Sequence, residues 1–191
     1  MTARRLAACV VSLLIGWSCT SDRNPAASTS QARTDVLLTD APAGAGLGSV
    51  NMYIAHIDAS ATTDTTGGPA SQPWTTLVAP HRRYDLLTLQ NGATALLGTT
   101  EISATQFVEI RVALNTDSSS LVRSDGTPAT VHWGTTGDIT VNVLVEAPAQ
   151  ISSPNAQILL DFNVANSFVP DPQDPNAFVF IPWIRAVVSN N

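Results

Sequence analysis

Two stretches of this chain alternate apolar and polar residues without a break. In SVNMYIAHID (49–58), Val50, Met52 and Ile54 fall on one face, and in DITVNVLVE (138–146) Ile139, Val141, Val143 and Val145 do the same, with Thr140 and Asn142 opposite. A period of two belongs to a strand with one side in a core and the other in water. Further strands are expected at DVLLTD (35–40), RYDLLTL (83–89), QFVEIRVAL (106–114), AQILLDFNV (156–164) and AFVFIPWIRAVV (177–188). Asp125-Gly126, between SLVRS and TPATVHW, supplies the positive φ angles of a tight hairpin. That makes eight or nine strands and no long helix; ATALLG (93–98), after Asn91-Gly92, is a candidate for one helical turn. The class is all-β, an antiparallel sandwich or barrel, because no helical crossovers alternate with the strands.

With 191 residues the chain is large enough for one core with appendages. Charged residues make up only 13% against 44% hydrophobic, so Thr, Ser and Asn are expected to cover the outer faces. The basic residues are all arginine, nine against fifteen acids. Such an acidic surface repels phosphate backbones, which argues against nucleic acid as a partner.

Residues 1–18 have the layout of an export signal: Arg4 and Arg5, an apolar run from Leu6 to Ile15, then Gly16-Trp17-Ser18 before Cys19. The run is too short to cross a bilayer, which needs about 20 residues. The pattern resembles a bacterial lipoprotein signal, in which the cysteine after the cut carries the lipid, so Cys19 is the expected lipidation site. Ordinary secretory cleavage near Ser18 or Thr20 is the alternative. A Cys9–Cys19 disulfide is disfavoured, because Cys9 lies inside the apolar run and would leave with it. Residues 19–33 lack apolar periodicity and read as a flexible tether, leaving 34–191 as the domain. By resemblance to other lipoprotein tethers, Thr20 in place of Asp favours the outer membrane. The expected address is the cell envelope, on its periplasmic or surface-exposed side, with the membrane engaged through the lipid.

The blocks VLLTDAPA (36–43), WTTL (74–77), YDLLTLQNGATALLG (84–98), EIRVAL (109–114), ILLDFNVANSFV (158–169) and IPWIRAV (181–187) resemble, in this order, those of the DUF4382 domain. The chain departs from that pattern at Thr105-Gln106-Phe107 and at Asp161-Phe162-Asn163-Val164. The resemblance implies an exported protein, frequently a lipoprotein, and a β-sandwich of transthyretin-like Greek-key type. It implies no activity.

Charged residues within strands need partners. Arg185 shares its side with Ile181, Trp183 and Val187, and Arg111 shares a face with Glu109; Arg111 and Arg185 are expected to pair with members of the set Asp85, Glu109 and Asp161. The same strand-end carboxylates are the only candidates for hydrolysis, which needs two acids across a groove. DPQDPN (171–176) offers oxygen ligands but no EF-hand spacing, and reads as a turn. His56, His81 and His132 lie far apart, with no second ligand at zinc spacing. No catalytic motif or cofactor-binding motif is present, and no cofactor is expected. Trp133, which ends a hairpin strand before Gly134, is the candidate for ligand contact. The resulting expectation is a non-catalytic module binding a glycan or an envelope protein, with a structural subunit of a surface assembly as the alternative.

Overall fold

The computed structural model describes residues 31–41, 46–62, 72–103, 105–146, 150–151 and 155–190. Its strands are β1 (Gln31–Asp40), β2 (Leu47–Ser60), β3 (Thr75–Val78), β4 (Arg82–Asp85), β5 (Ala95–Ser103), β6 (Thr105–Gln106), β7 (Glu109–Arg123), β8 (Pro128–His132), β9 (Asp138–Glu146), β10 (Gln150–Ile151), β11 (Asn155–Phe162), β12 (Phe168–Pro170), β13 (Ala177–Phe180) and β14 (Ile184–Asn190). The one α-helix among the described residues, α1 (Val164–Ser167), is a single turn.

The all-β expectation holds, but the strands number fourteen among the described residues and the main sheet is mixed. Its order is β12-β13-β8-β7-β9-β14-β11-β1-β5, with β2 beside β7 and carrying β3 and β4. Among the described residues three pairings are parallel: β1 with β11, β14 with β9, and β13 with β8. Each joins strands far apart in the chain, where the connection is long enough to return to the starting end. Local alternation carries no information about such pairings. β9 belongs to two halves, because Asp138 to Leu144 pair with β7 while Val145 and Glu146 pair with β14. The sheet folds over at this strand, and the two halves enclose one core.

Alternation decides what enters that core. In β1, Ala32, Thr34, Val36, Leu38 and Asp40 are buried, and in β2 Val50, Met52 and Ile54 are. They meet Ile110, Val112 and Leu114 of β7 and Ile158, Leu160 and Phe162 of β11. β1 begins at Gln31, inside the stretch whose composition reads as a tether; residues 1–30 lie outside those described.

Two local expectations are corrected. ATALLG leads into β5 instead of forming a helical turn, with Asn91 and Gly92 at positive φ (58° and 84°) in the turn before it. The helical turn is Leu86–Leu89 of the 3-10 type, formed where Asp85 Oδ1 accepts hydrogen bonds from the N–H groups of Val50 (3.1 Å) and Leu87 (3.2 Å). That cap ends β4 early. AFVFIPWIRAVV is likewise split into β13 and β14 around Pro182, which cannot donate to a ladder. At the β7–β8 hairpin only Gly126 takes positive φ (83°), and Asp125 Oδ1 accepts from the Thr127 N–H at 2.9 Å.

Candidate functional site: a polar groove over β2, β7 and β9

The outward faces of β2, β7 and β9 are aligned in rows by the ladder. Asp58, Arg111 and Asn142 form one row, His56, Ala113 and Thr140 the next, and Tyr53, Asn115 and Asp138 the third. The small side chain of Ala113 lowers the centre of this surface. The result is a groove of about 440 Å³ lined by Tyr53, Ala55, His56, His81, Asn115 and Thr140, among others.

Two backbone irregularities shape its rim. The register of β2 against β7 shifts between Ile54 and His56, a bulge that moves the buried series from Ile54 to Ile57 and turns His56 outward. Opposite, His81 sits at φ 47° and donates its N–H to the Ala55 carbonyl at 3.3 Å. A non-glycine residue in that region costs about 1–3 kcal/mol and persists only where its surroundings hold it there. Both histidines thus reach one groove although they are 25 positions apart in sequence.

The end of the groove is held by a bonded network. Asn115 Nδ2 donates to Asp138 Oδ1 at 2.8 Å, and Asn115 Oδ1 accepts from the Ser118 N–H at 2.8 Å. The Ser119 hydroxyl donates to the Asn115 carbonyl and accepts from the Tyr53 N–H. Among the described residues, the Tyr53 hydroxyl, the His81 ring and the Thr140 hydroxyl make no hydrogen bond. The groove therefore presents polar ends on a stiff base.

Beside it lies a buried ion pair. Asp58, with only 3% of its side chain exposed, takes both Arg111 Nη2 (2.6 Å) and Nε (3.0 Å) on Oδ2. Its Oδ1 accepts from the Thr76 hydroxyl at 2.7 Å, and His56 Nε2 lies 3.4 Å from Oδ2. The guanidinium of Arg111 also stacks over Trp74, 4.5 Å from the ring centroid.

The partners expected for the strand arginines are therefore corrected. Arg111 pairs with Asp58, not with Asp85, Glu109 or Asp161, because the antiparallel register sets Asp58 directly opposite it. Glu109 instead accepts from Gln72 Nε2 at 2.7 Å, and Asp85 holds the backbone bonds described above. Arg185 does share its side with Ile181, Trp183 and Val187, but that side faces water, since Ala186 and Val188 fill the core positions. It forms a two-pronged bond to Glu146 (2.8 and 2.7 Å), and these bonds hold the Glu146 carboxyl below its ordinary range. Asp161 is Arg185's neighbour across the ladder, yet its Oδ1 is buried with no hydrogen bond among the described residues.

Trp133 is also corrected. It is half-buried, packing edge-on against Phe168 (5.9 Å, 88°) and Phe180 (5.0 Å, 60°). Its ring closes the core where β13 covers β8, so the surface tryptophan is Trp183, 53% exposed. In DPQDPN, Asp171 and Asp174 accept from the N–H groups of Gln173 and Asn176 at 2.8 Å each, the turn geometry that reading implied. Cys19 lies outside the described residues. No cluster of three metal-ligating side chains occurs among the described residues.

Of the residues lining the groove, the sequence reading weighed His56 and His81 only as zinc ligands and did not single out Tyr53 or Asn115. One signal was available: Ile54 and Ile57 are three apart, which breaks the period of two and marks the bulge beneath His56. No curated protein and no solved structure matches the chain. The sequence model described as "Domain of unknown function (DUF4382)" matches residues 31–182, from the first residue of β1 almost to β14, and the chain belongs to that family.

Proposed function

We propose that the protein is an exported, lipid-anchored and non-catalytic binding module of the bacterial cell envelope, at the outer membrane, and that its groove takes a neutral polyhydroxylated ligand, a glycan. The carrying observation is the groove's chemistry: the free hydroxyls of Tyr53 and Thr140 and the ring of His81 stand around a floor of alanines. Hydroxyls and imidazoles both donate and accept, as a sugar requires, and a tyrosine ring offers a face for the sugar's C–H surface. Arg111, beside the groove, is already bound to Asp58, and Arg83, across the ladder from Tyr53, is held through its Nε on the Ser118 carbonyl. Of the candidate carboxylates, Asp85 and Glu109 are engaged in structural bonds and Asp161 lies on β11, away from the groove strands, which supports binding over hydrolysis. Address and anchor rest on the Cys19 signal.

The test is a binding screen of the mature chain against envelope polysaccharides, with three variants. Tyr53→Ala and Thr140→Ala are expected to weaken binding about tenfold or more while thermal unfolding stays put. Trp133→Ala is expected to lower stability by about 2–3 kcal/mol, through loss of a half-buried aromatic contact, and to leave affinity unchanged in the fraction that folds. A glycan whose affinity responds to Trp133→Ala but not to Tyr53→Ala would overturn the groove assignment.

A further inference from the structure

The outer face of the other half differs in kind. Leu37 of β1 pairs with Leu96 of β5 and Leu159 of β11, and Leu159 pairs with Val187 of β14, so one apolar row crosses four adjacent strands. Leu96 is 52% and Val187 39% exposed, and Ile181 and Trp183, leading into β14, are 54% and 53% exposed. Single exposed apolar residues need no explanation, but a contiguous row does. Of the charges flanking it, both arginines are partnered within the face: Arg185 by Glu146, and Arg33, whose Nε lies 3.6 Å from Asp35 Oδ1. This face can leave water with its arginines still paired.

Where the chain enters the sheet indicates what covers the row. Eleven residues, 20–30, separate Cys19 from Gln31, the first residue of β1, which is an interior strand of this same half. Eleven residues reach at most about 40 Å. Acyl chains on Cys19 would hold the start of β1 within that reach of the lipid. We propose that the outer face of β14-β11-β1-β5 rests on the membrane surface that holds the Cys19 anchor, with Trp183 and Ile181 at the headgroup level. This rests on the lipidation reading and adds an orientation to it.

Three features fit a lipid surface. Tryptophan is enriched at membrane interfaces, where one end of its ring is apolar and the other wet. The long Arg33 and Arg185 side chains can bury their stems and keep their heads in the headgroup layer. The groove lies on the opposite outer face, across the core, so a protein lying this way presents it to the surroundings. Because the row is apolar and the chain acidic, docking is expected on zwitterionic lipid and is insensitive to salt. A second copy as occupant is disfavoured by the repulsion between two strongly acidic domains.

The experiment uses the full chain, processed and acylated at Cys19, in phosphatidylcholine vesicles containing doxyl-labelled lipid. An environment-sensitive fluorophore is attached to Val187→Cys or, as control, to Thr140→Cys; acylation blocks Cys19, so only the new thiol reacts. The probe at position 187 is expected to shift to the blue and to be quenched about twofold more strongly than the probe at 140. Adding Leu96→Asp is expected to abolish that difference with the chain still on the vesicle. Equal, weak quenching at both positions on vesicle-bound protein overturns the docked orientation and leaves the anchor standing. A processed chain whose mass shows no acyl group overturns the anchor, and the orientation with it. A blue shift at 187 that needs no vesicles and grows with protein concentration overturns the proposal in favour of self-association.

Discussion

Arg111→Ala is expected to lower the unfolding free energy by about 3 kcal/mol, the cost of leaving a buried carboxylate without its counter-ion. Asp58 is 3% exposed, and Arg111 supplies two of its hydrogen bonds, leaving Thr76 as the remaining close donor. The variant also uncovers Trp74, whose face the guanidinium covers at 4.5 Å. Urea denaturation of the two single variants and of Asp58→Ala/Arg111→Ala completes a double-mutant cycle. The double variant is expected to be more stable than the sum of the single losses predicts, by about 2 kcal/mol, because it removes the stranded charge with its partner. Additive losses would show that the pair carries no coupling and that Arg111 acts through packing alone.

Asp40→Asn is expected to act in the opposite direction. Asp40 closes β1 facing inward, 3% exposed, where its two oxygens accept from the Val164 N–H (3.0 Å) and from Gln90 Nε2 (3.2 Å). Burial pushes its pKa up to about 6 from an ordinary 3.8, against the pull of those two hydrogen bonds, and the charge of Asp161 adds to the rise. A carboxyl whose pKa is raised by folding favours the folded state while protonated. That contribution is complete below about pH 4 and is lost as pH rises through about 6. At about 1.4 kcal/mol per pKa unit, the loss amounts to roughly 3 kcal/mol by pH 7.5. Asparagine keeps an oxygen for the Val164 N–H and carries no charge to desolvate, and the Gln90 amide can turn to meet its NH₂ group. The variant is therefore expected to match the parent near pH 4 and to exceed it by up to about 3 kcal/mol at pH 7.5, a rise of several degrees in Tm. Equal stability at both pH values would show that the Asp40 carboxylate is adequately solvated when charged.

Both predictions turn on residues that look alike in the sequence, an aspartate near the end of an apolar run. LTD (38–40) and HID (56–58) do not reveal which acid meets an arginine and which meets only amides. In the fold, Asp58 faces outward on β2 with Arg111 directly across the ladder, whereas Asp40 faces inward at the β1 terminus beside α1. The distinction depends on which strands are neighbours and in what register. The same dependence explains the misplaced partners of Arg185 and the misjudged exposure of Trp133. Arg185 sits among apolar residues in sequence, but those residues are on the outer face; Trp133 ends a hairpin strand, but β12 and β13 lay Phe168 and Phe180 against it.

What could be read from the chain directly is what depends on neighbours a few positions away. Period-two patterning placed Val50, Met52, Ile54, Val143 and Val145 in the core, and Asp-Gly and Asx turns lie where their dipeptides occur. The order of the blocks carried the family. Tertiary structure alone decided the parallel pairings, the Asp58–Arg111 and Glu146–Arg185 pairs, and the meeting of His56 with His81 over Ala113. Each of these joins residues separated by tens of positions, and their contact follows from the register in which whole strands dock. Burying the apolar faces selects that register, and the polar partners are those the docked strands then set side by side.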